Sequence, residues 1–290
     1  MRNLIGVLLI LISGICFGAM AIFARLTYEA GASPTTVLFL RFGIASVCML
    51  VIMFMRRLPF PRGKTLLTLV LMGGVGYVGQ SLCYFTALTL ASAGLVALLL
   101  YSYPAIVTIL AVIILKERVS KVKVIALVFA LTGTVMTIGL GGGGQPLGIL
   151  LSLGAALIYS VYILVGSRIA RPGMVMPFSA VIITSGAIVS AALIAVKGTA
   201  FPVTWSGWIS MMAIALLCTV LAIIAFLAGL ERIGPTHAAT LSTIEPVVTV
   251  ILASLVLGEN FTLMRAVGGI MILLAVVVLA RAGSPAQDQT

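Results

Sequence analysis

Ten stretches of about twenty apolar residues fill almost the whole chain and leave little choice in what it can fold into. Their bounds are 4–24, 35–55, 65–88, 93–115, 121–140, 147–167, 174–196, 208–230, 236–257 and 262–281. A bilayer core about 30 Å thick takes roughly 20 apolar residues per helix. Inside it every backbone N–H and C=O must be satisfied within the chain, which restricts spans of this length to helices. The expected class is therefore all-α integral membrane, with ten transmembrane helices. Hydrophobic residues make up 62% of the 290, against roughly 45–50% in soluble domains. The connections are short and carry turn residues, as in "RRLPFPRGK", "GGGGQP" and "ARPGMVMP". A signal peptide is the alternative for the first run, since "MRN" precedes it and "AMA" at Ala19–Ala21 mimics a cleavage site. The repeat described below gives that run a partner and favours a helix.

A net charge of +11 could point to nucleic acid, but the basic residues are distributed as in a membrane protein. With the N-terminus inside, the cytoplasmic segments hold thirteen: Arg2, Arg56, Arg57, Arg62, Lys64, Lys116, Arg118, Lys121, Lys123, Arg168, Arg171, Arg232 and Arg281. The outside holds three, Arg25, Lys197 and Arg265, and Arg41 lies within the second run. This asymmetry predicts a multi-pass protein of the cell (inner) membrane with both termini cytoplasmic. One histidine, six acids and no paired cysteines at metal-ligand spacing leave no catalytic or metal set, so an enzyme, a cofactor and a metal are all unexpected. Cys16, Cys48, Cys83 and Cys218 all fall in apolar runs and read as small apolar residues.

The segment "YSYPAIVTILAVIILKERVS" (101–120) aligns without a gap on "TIEPVVTVILASLVLGENFT" (243–262), at an offset of 142. Pro104 meets Pro246, Glu117 meets Glu259, and Ser120 meets Thr262, each hydroxyl placed to cap the next helix. The offset makes each half five runs long. Five is odd, so the second half enters the membrane upside down relative to the first. Such inverted repeats build the midplane sites of many secondary transporters.

These residues resemble a known family. Ten runs, two five-helix halves and a proline in the fourth and ninth runs, each followed by a Glu ("P…LKE" and "P…LGE"), are similar to the EamA domains of the drug/metabolite transporter superfamily. Within it the chain looks closest to bacterial exporters of the YddG type, which handle aromatic and other neutral amino acids. The resemblance implies a first repeat over 1–140, an outside linker at 141–146, a second repeat over 147–281 and a cytoplasmic tail at 282–290.

Three sets of residues are candidates for a site. Pro104 and Pro246 lie near the middle of their runs and free the carbonyls of Leu100 and Ser242. They read either as packing kinks or as a matched pair of hinges. Tyr77, Gln80, Ser81 and Tyr84 recur at i, i+3, i+4 and i+7 and share one helix face, as do Tyr159 and Tyr162. Together with Tyr101 and Tyr103 they form either helix–helix glue or the wall of an aromatic, partly hydrated cavity.

Intramembrane charges form the third set, each costing roughly 2.5–3.5 kcal/mol on the insertion scale. Glu245 is the deepest acid and fits a proton site, a partner for a substrate ammonium, or a protonated acid bonded to a neighbouring helix. His237 reads as a packing residue more readily than as a proton carrier, and Arg41 as a structural residue that snorkels outward. Glu117 and Glu259, at helix C-termini, serve either as gate latches or as plain structural groups. Gly14, Gly18, Gly73, Gly76 and Gly79 allow close backbone approach. Gly141–Gly144 lacks the strand-to-helix setting of a phosphate cradle.

The resulting expectation is a secondary transporter that exports small amphipathic metabolites, led by aromatic or neutral amino acids. The alternatives are a permease for vitamins, purines or sugar-nucleotides and a non-transporting scaffold or receptor. The expected partners are a small-molecule substrate and the lipid bilayer, with no nucleic acid. A homodimer is compatible with the sequence and not required by it.

Overall fold

The computed structural model describes residues 2–115, 120–138, 144–169, 171, 173–260 and 262–282. They form thirteen α-helices: α1 (Arg2–Glu29), α2 (Pro34–Met55), α3 (Gly63–Leu71), α4 (Val78–Leu90), α5 (Ala93–Leu100), α6 (Tyr103–Leu115), α7 (Lys121–Ile138), α8 (Pro146–Ile169), α9 (Val175–Lys197), α10 (Trp205–Ala215), α11 (Ala222–Ser242), α12 (Ile244–Leu257) and α13 (Leu263–Ala282). Two π-helical segments, Met72–Tyr77 and Leu216–Leu221, join α3 to α4 and α10 to α11. Among the described residues there is no strand.

Seven of the helical stretches are long and apolar enough to cross a membrane: Leu4–Glu29, Pro34–Met55, Gly63–Leu90, Ala93–Ile114, Pro146–Ile169, Val175–Lys197 and Trp205–Gly234. Ile244–Leu257 and Leu263–Leu279 are shorter apolar helices. The outward faces are apolar as well, with Val47, Phe54, Val135, Leu255 and Ile270 all exposed. A soluble monomer rarely leaves contiguous apolar patches beyond a few hundred Å². Apolar, helical and outward-facing together mark a multi-pass membrane protein.

Local chemistry explains where several elements begin and end. Ser33 caps α2 by accepting from the Thr36 N–H, with Pro34 in the first turn, and Thr204 caps α10 through the Gly207 N–H. Ser120 and Thr262 cap α7 and α13 as their sequence positions predict, accepting from the N–H groups of Lys123 and Arg265 at 3.3 Å each. Gly258, at φ 64°, closes α12.

The fourth and ninth runs are interrupted in the same way, each just before its proline, with the backbone staying close to helical at Tyr101 (φ −69°, ψ 2°) and Thr243 (φ −64°, ψ −8°). The fourth breaks at Tyr101–Ser102, between α5 and α6, and the ninth breaks at Thr243, between α11 and α12. Pro104 and Pro246 thus sit in the first turn of a new half-helix, where a missing N–H costs little. The ninth run also begins differently, because Gly234 (φ 77°) kinks the chain within α11.

The bundle assembles from a few helix pairs: α1 with α11 and α12, α8 with α4 and α6, α2 with α9, and α7 with α13. Its main core gathers Leu38, Phe42 and Met49 of α2 with Phe85, Leu88 and Leu99, all close to zero exposure. At one end of the bundle, hydrogen bonds link the connections to one another and to a helix end. Val203 N–H donates to Ala30 C=O at 2.8 Å, Ser33 N–H to Ala200 C=O at 3.0 Å, and Gln145 N–H to Leu90 C=O at 2.8 Å. At the same end Glu259 accepts from the N–H groups of Ala93 at 2.6 Å and Gly94 at 3.1 Å. The Glu259 carboxylate therefore caps the first turn of α5, where the helix dipole favours an anion.

Candidate functional site

A cavity of about 450 Å³ lies inside the bundle, within the usual range for small-molecule sites. Tyr77, Gln80, Ser81, Tyr84, Tyr101, Tyr103, Tyr159, Tyr162, Ser242 and Glu245, singled out above, all line it. The cavity thus brings together groups from the third, fourth, sixth and ninth runs. Arg41, Ser13, Phe17, Ser179 and Phe226 line it too.

Five of these tyrosines form one continuous belt, and Tyr84 packs edge-on against Phe85 instead. Tyr77 and Tyr162 have ring centroids 6.0 Å apart, Tyr162 and Tyr159 stack at 5.9 Å, Tyr159 meets Tyr103 edge-on at 4.8 Å, and Tyr103 lies 5.9 Å from Tyr101. Such contacts add roughly 0.5–1.5 kcal/mol per pair beyond area burial. The belt is therefore glue and wall at once.

An ionisable group stands at each end of the belt. At the Tyr101 end, that hydroxyl donates to the Ser242 carbonyl at 3.4 Å, which is the acceptor freed by Pro246, and Glu245 lines the cavity three residues further on. Ser242 contributes its carbonyl, because its own hydroxyl bonds back to Ala238 C=O at 2.9 Å. The break at Thr243 puts Glu245 in the first turn of α12. An acid that reads as mid-helix in the sequence is thus an acid at a helix N-terminus, where negative charge is stabilised. Gly18 makes this approach possible: a methyl there would stand 2.6 Å from the Glu245 carbonyl oxygen.

At the Tyr77 end stands Arg41, only 2% exposed. The expectation that it snorkels to a surface does not hold. Its Nε donates to Thr219 Oγ1 at 2.9 Å and its Nη2 to the Tyr77 hydroxyl at 2.8 Å. Tyr77 closes one π-helical segment and Thr219 lies in the other, so the guanidinium joins the two. The guanidinium also sits over the rings of Phe42 at 5.1 Å and of Tyr77 and Phe85 at 5.5 Å. A charge inside an apolar run was the available sequence signal; its partner Thr219, in a different run, could not be read from spacing.

The other candidates fall elsewhere. His237 is exposed and does not line the cavity. Glu259 lies at the hydrogen-bonded end of the bundle. Glu117 lies outside the described residues. The four cysteines are free, and no cluster of His, Cys, Asp and Glu among the described residues is arranged for a metal.

The model of the EamA-like transporter family matches this chain twice, over residues 4–139 and 146–281. The chain belongs to the EamA-like transporter family. It is a membrane transporter and not an enzyme, with a small molecule and the bilayer as its implied partners. It is 28% identical to the uncharacterized transporter YcbK of Bacillus subtilis (strain 168), over 91% of this chain and 88% of that one. It is 26% identical to the uncharacterized transporter YyaM of the same organism, covering 92% of each. It is 23% identical to the uncharacterized inner membrane transporter YicL of Salmonella typhimurium (strain LT2), covering 95% of each. A solved crystal structure shares the fold at a TM-score of 0.64 and 22% identity, covering 96% of this chain and 99% of that one.

Proposed function

We propose that this transporter moves small amphipathic metabolites by alternating access between two inverted five-helix halves, exporting aromatic or neutral amino acids. The observation that carries the reading is the tyrosine-belted cavity, walled by both halves, with hydrogen bonds tying one end of the bundle.

Several features support the two-half arrangement. The family model matches at the spacing of the sequence repeat. The helix pairs exchange under that repeat: α1 with α12 corresponds to α8 with α6, and α1 with α11 to α8 with α4. Both halves carry a π-helical segment in their third span and a broken helix in their fourth. Ser160 Oγ donates to the Tyr103 carbonyl at 3.1 Å, and at the matching place Gly18 lies against the Glu245 carbonyl. Discontinuous helices at the interface of inverted repeats are how many secondary transporters present backbone groups and helix ends to a substrate. The thirteen-to-three distribution of basic residues supports a cell (inner) membrane setting with both termini in the cytoplasm. On that orientation the tied end faces outward and the cavity is poised toward the cytoplasm.

A radiolabelled counter-flow screen in proteoliposomes tests the reading. Aromatic and neutral amino acids should exchange faster than in empty liposomes. Exchange of purines or sugar-nucleotides without amino acids would leave the mechanism and remove the substrate; no exchange of any compound would point to a scaffold or receptor. Tyr→Phe at positions 77, 84, 101 and 103 is expected to raise KM for the preferred substrate by about two- to tenfold, the effect of losing one neutral hydrogen bond. Wild-type kinetics in all four would reduce the belt to packing.

A further inference from the structure

We infer that Arg41 is the anion-binding subsite of the cavity, and that the substrate it takes carries a carboxylate. The inference rests on the transport reading above and adds a recognition element to it. A guanidinium carries five N–H donors in a planar fork. Its hydrogen bonds here come from Nε and Nη2 and end on two neutral hydroxyls, and no acidic side chain among the described residues pairs with it. A charge 2% exposed with neutral partners alone is costly. A carboxylate entering the cavity would accept from the remaining donors and offset that cost, as the planar fork suits a planar carboxylate.

The surroundings hold the fork in place. Thr219 Oγ1 accepts from Arg41 while donating to the Ile214 carbonyl at 2.9 Å, so its position is fixed from both sides. Phe42, Tyr77 and Phe85 pack their rings against the guanidinium. Glu245 stands at the far end of the tyrosine belt and forms no ion pair with Arg41. The cavity is therefore polarised, with its cation at the Tyr77 end and its acid at the Tyr101 end.

The test is a competition panel of one aromatic body with different charged ends: phenylalanine, phenylalaninamide, phenethylamine and 3-phenylpropionate. It is read both as inhibition of counter-flow and as a ligand-induced Tm shift of the purified protein. In the wild type, the two carboxylates should shift Tm and compete while phenethylamine and the amide do not. Arg41→Lys keeps the buried charge and loses the fork, and should weaken the carboxylates by about tenfold or more. Arg41→Met should abolish their effect; if it does not fold, Arg41→Lys and Tyr77→Phe, which loosens one tether, still decide the matter. Equal responses to phenylalanine and phenethylamine, unchanged in Arg41→Lys, would overturn the subsite and leave amino-acid transport standing. An Arg41-dependent response to 3-phenylpropionate without any to phenylalanine would keep the subsite and remove the amino-acid reading. Failure of every carboxylate in the panel at millimolar concentration would overturn the subsite.

Discussion

Glu245→Gln is expected to lower counter-flow by about tenfold or more while the protein stays folded and monodisperse. The glutamine has nearly the same shape, and the backbone carbonyl of residue 245 that lies against Gly18 is unchanged, so packing changes little. What it loses is the charge that the first turn of α12 is placed to stabilise. Two roles for that charge separate in the kinetics. A partner for a substrate ammonium predicts a higher KM for amines and amino acids and no change for a competitor that lacks the amine. A proton carrier predicts that the pH dependence of the wild type flattens in the variant at saturating substrate. Wild-type rates and wild-type pH dependence would remove Glu245 from the mechanism. At the offset of 142 Tyr103 aligns with Glu245, so only one of the two aligned segments carries the acid.

How much of this could be read from the sequence depended on distance along the chain. Helical periodicity placed Gln80, Ser81 and Tyr84 on one face because α4 is regular from Val78 onward, and Tyr77, the last residue of the π-helical segment before it, lines the cavity with them. The caps at Ser120 and Thr262 were equally local, a hydroxyl and an N–H three residues on. Arg41 was misjudged because hydropathy fixes a depth in the membrane and says nothing of the direction a side chain takes around the helix. Its partners sit on π-helical segments, and neither "MGGVGY" nor "LLCTVL" carries a composition signal that separates a π turn from an α turn. The prolines were correctly located, and the helix is interrupted just before each of them, which leaves each proline in a first turn. That break gives Glu245 its helix end, a property that no count of residues along the run contains.

Glu259→Ala is expected to open the tied end of the bundle. The carboxylate makes two charge-assisted bonds to the start of α5, at 2.6 and 3.1 Å, across the two halves of the chain. Such bonds contribute about 1.5–3 kcal/mol each, and about 1.4 kcal/mol is a factor of ten in a two-state equilibrium. Their loss should therefore raise the population open at that end by at least about tenfold. A single cysteine at Ser81, buried in the cavity wall, reports it in a background with the four native cysteines replaced. Labelling by a membrane-impermeant maleimide added on the side of the α5 N-terminus should accelerate by that factor, and Glu259→Gln, which keeps one acceptor oxygen, should fall between. A helix cap without a gating role predicts something different: a loss of about 1 kcal/mol in stability with unchanged labelling. The latch reading requires the labelling to change, since an interaction made only in one state must shift the balance between states when it is removed.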